Sequence, residues 1–297
     1  MMLARPFVKW VGGKTQLLEE VERSLPKNLS SRSDLVYVEP FVGGGAVLFW
    51  ILQKYPNISK AIINDINKEL VCTYRVIRND VESLISELEV IQNEYISLDE
   101  LSRKTYYLNK RKLFNSRKIT ELQTASLFIF LNRTCFNGLY RVNSKGEFNV
   151  PHGRYSNPRI CDMENLRAAS SVLQKVEILC GDFSETMAWA SDKALYYFDP
   201  PYKPLTETSS FTSYSKDGFD DTEQIRLRNF CSEISRRGAM FVASNSDPKN
   251  VSPEELFFDE LYKQFKIKRV YASRMINSKS DGRGKLTEIM ISNVVKA

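Results

Sequence analysis

Leu35-Val36-Tyr37-Val38-Glu39-Pro40-Phe41-Val42-Gly43-Gly44-Gly45 is the stretch from which the fold of this chain is predicted. Its first half is almost continuously apolar, which is typical of a strand that is buried on both faces. Three glycines follow, and residues 46–52 have the apolar composition of a buried helix. A strand, a glycine turn and a helix in this order open a nucleotide-binding α/β unit, because only glycine lets the backbone approach a ligand closely. The dinucleotide pattern GxGxxG is incomplete, since Leu48 stands at the third glycine position.

A second predicted strand, residues 60–64, ends at an acid. This acid, Asp65, lies about 20 residues beyond the glycines, where a carboxylate usually accepts a hydrogen bond from a ribose hydroxyl. It suits an unphosphorylated ribose such as that of S-adenosylmethionine. The alternative is that Asp65 caps a helix beginning near Ile66-Asn67.

Asp199-Pro200-Pro201-Tyr202 follows a third strand-like run, residues 194–198. Ligands of open α/β sheets bind at such carboxyl ends of strands. An exocyclic amino group of a nucleobase is a poor nucleophile, because its lone pair is delocalised into the ring. The Asp199 carboxylate and the Pro200 carbonyl would each accept one N–H of that group and so localise the lone pair. Pro200 and Pro201 stiffen the loop, and Tyr202 offers a flat face for an extruded base. The alternative is a proline turn after a buried strand.

The composition argues against several classes of protein. The mean hydropathy is −0.33, without a long apolar run, so we expect no membrane span. Residues 1–6 lack the apolar core of a signal peptide, and we expect a cytoplasmic protein. The five cysteines form no CxxC pair and the chain has one histidine, which predicts free thiols and no metal site. Gly12-Gly13-Lys14-Thr15 ends like a phosphate-binding loop, but Val8 replaces its first glycine, which argues against a nucleoside triphosphatase.

Positive charge is concentrated between Leu101 and Ile160. Twelve basic residues of this segment are opposed by two acids, Glu121 and Glu147, so its net charge is +10. The whole chain carries +6, and the remainder therefore carries −4. A basic module within an acidic protein is typical of a protein that binds a polyanion. The alternative is a solvated helix face.

The pattern of elements predicts an α/β fold interrupted by a mainly helical insertion. Strands are predicted at 176–179, 195–198, 240–243, 267–274 and 286–294, and helices at 81–95, 98–115 and 119–132. We therefore predict a mostly parallel sheet with an antiparallel terminal strand. Residues 1–75 and 166–297 would form the catalytic domain, and residues 76–165 the insertion. The Ser- and Thr-rich residues 203–219 are a candidate lid.

Several motifs occur in the order that is typical of one enzyme family. They are Lys9-Trp10 with Gly12-Gly13-Lys14, Glu39-Pro40-Phe41 with Gly43 and Gly45, Asn64-Asp65, Gly181-Asp182-Phe183, Asp199 to Tyr202, and Ser244-Asn245-Ser246-Asp247. From Lys9 to about Ile291 the chain resembles the Dam-type DNA adenine-N6 methyltransferases, the D12 class. The resemblance implies a Rossmann-like methyltransferase sheet, S-adenosylmethionine as methyl donor, and double-stranded DNA as partner, with the target adenine flipped out of the duplex.

The resemblance also implies a target sequence, GATC. Arg141 matches a position that reads a guanine edge, as a guanidinium can do through O6 and N7, and Lys9 matches one that reaches another guanine. Leu139 and Pro151 match positions that contact thymine. Phe136 and Asn137 match residues that probe the base stack. Arg133 and Arg154 match residues that hold the DNA backbone, and Tyr155 is a further DNA-binding position.

Three departures from the family pattern bear on the preference for flanking sequence. Phe136 stands where the family commonly has tyrosine, so a hydroxyl contact is missing. Thr134-Cys135 replaces a more usual Tyr-Gly pair, and His152 replaces an aromatic residue.

By the same resemblance, a set of residues is expected to bind the cofactor. Trp10 and Lys14 would line its site, and Phe41, Gly43 and Gly45 would lie close to its methionine part. Asp65 would bind the ribose, and Asp182 and Phe183 would hold the adenine. Asp199 would lie between the cofactor and the target base.

Other functions stay open at this level. Cytosine-N4 methylation uses the same chemistry, although Asp199 in place of serine favours adenine. RNA adenine methylation is disfavoured, because the major groove of A-form RNA is inaccessible to a side chain such as Arg141. A non-catalytic DNA-binding regulator would not need Asp199 to Tyr202. A restriction endonuclease would be a functional partner, not a stable subunit.

Overall fold

The computed structural model describes residues 3–203, 219–272 and 286–294, and a seven-stranded sheet is its central feature. The strands are β1 Leu35–Glu39, β2 Ile58–Ile63, β3 Val176–Ile178, β4 Ala194–Phe198, β5 Met240–Ser246, β6 Lys266–Ala272 and β7 Leu286–Ser292. Their order across the sheet is β3-β2-β1-β4-β5-β7-β6. The predicted Rossmann-like α/β fold is confirmed.

Strand direction follows the prediction in most of the sheet. β1 pairs in parallel with β2 and β4, and β4 pairs in parallel with β5. β7 is antiparallel to both β5 and β6. The antiparallel strand is therefore the last strand in the chain, but it lies inside the sheet and not at its edge. All five residues of β4 are buried, as expected of a central parallel strand.

The described part of the chain forms nine α-helices. They are α1 Leu18–Ser24, α2 Ala46–Lys54, α3 Lys68–Asn79, α4 Val81–Ser97, α5 Glu100–Asn115, α6 Glu121–Thr134, α7 Met163–Leu173, α8 Asp221–Arg236 and α9 Phe257–Leu261. Side chains fix several starts: Asp99 caps α5, Asp220 caps α8, and Thr120 with Gln123 forms a capping box on α6. Helices α4, α5 and α6 correspond to the three helices predicted for the insertion. Within the described residues, no helix combines the length and the apolar character needed to cross a bilayer.

The chain divides into two compact units. The first comprises Met1–Gly13, Val42–Lys54 and Asn64–Asp182, and the second comprises Lys14–Phe41, Tyr55–Ile63 and Phe183–Ala297. The predicted insertion lies wholly within the first unit, where α6 packs against α3, α4 and α5. The predicted domain limits at residues 76 and 165 stay a prediction. Of the candidate lid, residues 204–218 lie outside the described part of the chain.

Candidate active site

Asp199 lies at the carboxyl end of β4. Its Oδ1 atom accepts a hydrogen bond from Ser244 Oγ at 3.0 Å, and Lys14 Nζ lies 3.0 Å from the same oxygen. The parallel register pairs Phe198 with Ala243, which brings Ser244 of β5 to Asp199. Burial raises the pKa of Asp199, and Lys14 and Ser244 oppose this rise. Among the described residues both contacts engage Oδ1, which leaves Oδ2 to accept a hydrogen bond from a ligand.

Tyr202 is held by charged neighbours. Its hydroxyl donates a hydrogen bond to Glu288 Oε2 at 2.6 Å. Lys14 Nζ lies 4.4 Å from the centroid of the tyrosine ring and 3.9 Å from Glu288 Oε2. The Lys14 side chain is only 5% exposed, so the single cation is shared by two carboxylates in a poorly solvated setting. Three predicted site residues, Lys14, Asp199 and Tyr202, thus meet in one network.

Two buried amide side chains contact the backbone on either side of Tyr202. Gln224 Nε2 donates to the Pro201 carbonyl oxygen at 3.2 Å, and the Lys203 N–H donates to Asn245 Oδ1 at 3.3 Å. Asn245 Nδ2 in turn donates to Gln224 Oε1 at 3.0 Å. The loop after Asp199 is therefore tied to β5 and α8 through side chains that are almost fully buried.

An aromatic surface lies after β1 in the same unit. The rings of Phe41 and Phe183 have centroids 5.4 Å apart, and Phe219 contacts both rings. The Arg226 guanidinium lies 4.1 Å from the Phe183 centroid. A cluster of flat rings of this kind can stack against a purine.

The glycine turn belongs to the first unit. Gly43 and Gly45 have φ angles of +48° and +75°, in the left-handed region that favours glycine. A Cβ on Gly43 would lie 2.7 Å from Trp10 Cδ1, so no larger residue fits without displacing the indole. The Gly43 N–H donates to Asp65 Oδ2 at 3.0 Å, and its carbonyl accepts a hydrogen bond from Tyr74 Oη at 2.9 Å.

Asp65 supports this turn. Its Oδ1 accepts the Asn67 N–H at 2.9 Å, and burial raises the pKa of Asp65 while the N–H groups of Asn67 and Gly43 oppose the rise. Asn67, and not Asp65, caps α3 by accepting the Leu70 N–H. The Gly181 N–H donates to the Asp65 carbonyl oxygen at 3.2 Å, which brings the loop of Asp182 beside Asp65. The ribose-binding role of Asp65 stays a prediction.

The predicted DNA-binding residues lie mainly on exposed loops of the first unit. Those that are exposed are Lys9, Phe136, Asn137, Arg141, Pro151 and Arg154, and those that are half-buried are Arg133, Leu139 and Tyr155. Phe136 is 52% exposed, which is unusual for a large aromatic side chain. Asn137 and Arg154 have positive φ angles of 55° and 53°, a conformation that non-glycine residues rarely adopt.

Hydrogen bonds from buried polar groups hold the backbone of these loops. The Asn132 side chain is 2% exposed; its Oδ1 accepts the Lys9 N–H, and its Nδ2 donates to the carbonyl oxygens of Lys9 and Gly138, all at 2.8–2.9 Å. The Phe136 N–H donates to the Pro151 carbonyl oxygen at 2.8 Å. Arg141 is oriented by a residue outside the predicted set, since its Nε donates to Asn149 Oδ1 at 2.8 Å.

His152 has a structural contact of its own. Its Nε2 lies 2.6 Å from Tyr95 Oη, and its ring packs against Tyr107. Burial lowers the pKa of His152, and the positive charge of Arg154 lowers it further, which favours the neutral imidazole. The histidine thus fills an aromatic position and adds a hydrogen bond to α4.

A basic cavity of about 290 Å³ lies beside this segment. Its lining residues are Lys9, Arg133, Tyr155, Ser156, Asn157, Pro158 and Arg159. Lys9 Nζ lies 4.6 Å from the Tyr155 ring centroid, and Arg133 Nη2 donates to the Phe7 carbonyl oxygen at 2.8 Å. Three cationic side chains make the cavity suitable for an anion.

Comparison with known proteins is consistent across the chain. Residues 10–276 match the family model of the D12 class N6 adenine-specific DNA methyltransferases. The chain belongs to this class. It is 51% identical to the type II methyltransferase M.MjaIII of Methanocaldococcus jannaschii over 98% of this chain and 100% of that one. It is 40% identical to the type II methyltransferase M1.LlaDCHI of Lactococcus lactis subsp. cremoris over 97% of this chain and 95% of that one. It is 32% identical to the DNA adenine methylase of Escherichia coli K12 over 96% of this chain and 94% of that one.

As a D12-class protein, the chain is an adenine-specific DNA methyltransferase, and the predicted family and enzyme activity are confirmed. Membership in a methyltransferase family implies S-adenosylmethionine as the methyl donor. The five cysteines are free thiols. Within the described residues, no group of three or more His, Cys, Asp or Glu side chains is placed to hold a metal ion.

Two residues that contact the loop after Asp199 are absent from the site residues predicted from the sequence: Glu288 bonds to Tyr202, and Gln224 bonds to Pro201. Glu288 is the single acid in the otherwise largely apolar run of β7, and that isolation was a usable signal. Gln224 carries no comparable signal, because it lies on an amphipathic helix far along the chain from Pro201.

Proposed function

We propose that this enzyme methylates N6 of adenine within GATC in duplex DNA, and that the adenine is rotated out of the helix before reaction. The observation that carries the proposal is the anchored carboxylate of Asp199, which Lys14 and Ser244 hold through Oδ1 at the end of β4. A carboxylate fixed in this way can direct Oδ2 to an exocyclic amino group without reorganising during the reaction.

The chemistry follows from the bonding of that amino group. Asp199 Oδ2 accepts one N–H and the Pro200 carbonyl accepts the other, so the nitrogen lone pair becomes available for attack. The neighbouring Pro201 carbonyl is engaged by Gln224, which supports the assignment of this role to Pro200. Tyr202 presents its ring to the extruded base. No side chain has to remove a proton before the methyl group is transferred. The methylated nitrogen then carries a positive charge and releases one proton to solvent, so positioning accounts for the catalysis.

The residues present fit S-adenosylmethionine. Gly43 and Gly45 have positive φ angles and form a tight turn in which neither position carries a side chain. The carboxylate of Asp65 accepts the Gly43 N–H of this turn. When bound, the cofactor supplies an electrophilic methyl group on a sulfonium. The side chains and glycines that would hold it are Trp10, Lys14, Phe41, Gly43, Gly45, Asp65, Asp182, Phe183 and Asp199.

Target selection is assigned to the exposed recognition loops. Arg141 would read a guanine, and its bond to Asn149 supports this role because a fixed guanidinium plane favours bidentate contact with O6 and N7. Lys9 would reach the other guanine, while Leu139 and Pro151 would contact thymine and Phe136 with Asn137 would fill the stack. Arg133, Arg154 and Tyr155 would position the DNA backbone.

The test uses labelled S-adenosylmethionine and two duplexes that differ only in whether GATC is intact or scrambled. The modified base is identified by mass after digestion to nucleosides. We expect N6-methyladenine in the GATC duplex alone. Transfer to both duplexes, or to cytosine, would reject the specificity, and absence of transfer despite cofactor binding would reject the activity.

An enzyme of this kind would act on DNA in the cytoplasm. Because two relatives are named type II methyltransferases, we propose an endonuclease of the same specificity as a functional partner rather than a stable subunit.

A further inference from the structure

We propose that Gln224, Asn245 and Glu288 are positioning residues that fix the orientation of the Tyr202 ring. They hold the tyrosine at three points: the peptide before it, the peptide after it, and the hydroxyl. The inference rests on the proposed function, in which this ring is the face against which the target base stacks.

The backbone on both sides of Tyr202 is closed into one hydrogen-bonded relay. Gln224 Nε2 donates to the Pro201 carbonyl oxygen, Asn245 Nδ2 donates to Gln224 Oε1, and Asn245 Oδ1 accepts the Lys203 N–H. Each amide is oriented by the other, because reversing either one would place like groups together. Gln224 is 0% exposed and Asn245 is 3% exposed, so neither amide is readily satisfied by water.

Further bonds fix the Asn245 end of the relay. Asn245 Oδ1 also accepts the Ser246 N–H at 2.9 Å, and Ser246 Oγ donates to the Lys203 carbonyl oxygen at 2.8 Å. Both residues lie on β5, whose pairing with β4 and β7 fixes their position. The family motif from Ser244 to Asp247 thereby gains a physical role, since Ser244 holds Asp199 and the next two residues hold Lys203.

The hydroxyl end of Tyr202 is fixed separately. Fixing the two flanking peptides places Cα, but the ring can still rotate about its side-chain torsions. The 2.6 Å bond to Glu288 holds the hydroxyl and so fixes the first side-chain torsion. Lys14 Nζ lies over the ring, 4.4 Å from its centroid, and favours one rotation about the Cβ–Cγ bond. The register pairs Glu288 with Ser246 across β5 and β7. Ser246, which bonds to Lys203, is therefore the sheet neighbour of Glu288, which bonds to the Tyr202 hydroxyl. The strand pair β5 and β7 thus holds both the peptide after Tyr202 and its hydroxyl.

The experiment measures single-turnover methyl transfer, together with KM for DNA and for S-adenosylmethionine. Gln224→Met and Glu288→Met remove the hydrogen bonds at similar volume. We expect each to lower the methyl-transfer rate by about fivefold or more, with both KM values within about twofold of wild type, because misplacement of a reacting group costs rate. Glu288→Gln keeps an oxygen that accepts the tyrosine hydroxyl, and should retain a rate within about twofold of wild type.

A double variant separates positioning from a general structural effect. If Glu288 acts through the Tyr202 hydroxyl, Tyr202→Phe, Glu288→Met and the double variant should lose rate by the same factor. Rates that fall by the product of the two single effects would overturn the inference for Glu288. A Gln224→Met enzyme with unchanged rate would overturn it for the relay.

Two controls complete the design. Asn293 also bridges backbone groups, accepting the Phe241 N–H and donating to the Ala239 carbonyl oxygen, but at the opposite end of β5. Asn293→Leu should therefore leave the rate at that of wild type, and thermal unfolding of every variant reports folding. Asp199→Ala distinguishes the two proposals: retained turnover rejects the proposed function, whereas lost turnover with normal Gln224→Met and Glu288→Met enzymes rejects this inference alone.

Discussion

The catalytic turn, residues 199–203, and the recognition segment, residues 133–155, are built in opposite ways. In the catalytic turn, strands β4, β5 and β7 supply the surrounding groups, and side chains such as Lys14, Gln224 and Asn245 are almost fully buried. In the recognition segment, Phe136 and Arg141 are exposed, and the backbone adopts positive φ angles at Asn137 and Arg154. The groups proposed to act in catalysis are therefore fixed before substrate arrives, whereas those proposed to recognise DNA are presented to solvent.

This difference predicts two kinds of mutant. Changes in the catalytic turn should lower the rate and leave DNA affinity almost unchanged, because their partners are internal. Changes in the recognition segment should lower affinity and selectivity, because each exposed side chain is expected to meet DNA directly.

The largest expected effect is that of Asp199→Ala. Loss of the only carboxylate proposed to contact the amino group should lower turnover by about 10³-fold or more, as removal of a fixed electrostatic contact does elsewhere. DNA affinity should stay within about threefold of wild type, since the contacts of Asp199 with Lys14 and Ser244 are internal and no DNA backbone contact is assigned to it. Turnover by radiolabel transfer and affinity by fluorescence anisotropy provide the check. Near-normal turnover would contradict the mechanism.

Arg141→Ala should have the next largest effect. A bidentate contact to guanine is worth about 1–3 kcal/mol, so kcat/KM on GATC should fall by about 5- to 150-fold. Substrates with 7-deazaguanine at each guanine in turn locate the contact: wild type should be sensitive at the position read by Arg141, and the variant should not.

Lys145→Ala is the matched control for Arg141→Ala. Lys145 is an exposed cation of the same segment to which no base contact is assigned. Its loss should weaken binding equally for all sequences and reduce the salt dependence. Equal sensitivity of both variants to 7-deazaguanine would remove the assignment of Arg141.

Much of the fold was predictable because it depends on local patterns. Apolar runs identified β1, β4 and β5, and the motif order located Asp199 and the glycine turn. Asp65 was predicted to lie near the glycine turn, and in the structure it bonds to Gly43. That Asn67 rather than Asp65 caps α3 depends on the direction of the backbone and could be seen only in the structure. The same holds for the position of β7, which is last in the chain and yet internal in the sheet.

What sequence reasoning could not find are contacts set by strand register. Glu288 reaches Tyr202 because β7 pairs with β5 at Ser246, and Gln224 reaches Pro201 because α8 returns to the end of β4. In the recognition segment, the bond of Tyr95 to His152 joins residues 57 apart in the chain. No spacing rule connects such pairs, because tertiary packing determines which of them meet.

Lys14→Met should change the pH dependence of the rate more than its maximum. The proposed mechanism requires ionised Asp199, whose pKa is raised by burial and lowered by Lys14. Removing the cation raises that pKa further, so the rate should begin to fall at a higher pH as the solution is acidified. Single-turnover rates at saturating cofactor from about pH 5 to about pH 8 test this. Lys203→Met is the control, because Lys203 pairs with Asp221, and it should leave the acid limb unmoved.

The smallest expected effects are on stability, and two glycines make the comparison direct. Gly43 lies in the glycine turn and Gly146 in the recognition segment, with φ angles of +48° and +76°. Alanine at either position incurs the cost of left-handed backbone, about 1–2 kcal/mol. At Gly43 the new Cβ would also lie 2.7 Å from the Trp10 indole, whereas at Gly146 it would meet nothing within 4 Å.

Gly43→Ala should therefore destabilise the protein by about 1–3 kcal/mol more than Gly146→Ala, the usual cost of overpacking. Denaturant unfolding of both variants measures the difference. A larger gap would mean that Trp10 cannot shift at all, and its displacement should then also weaken cofactor binding. Equal destabilisation would mean that the indole moves freely, and Trp10 would then be no more constrained than an exposed side chain of the recognition segment.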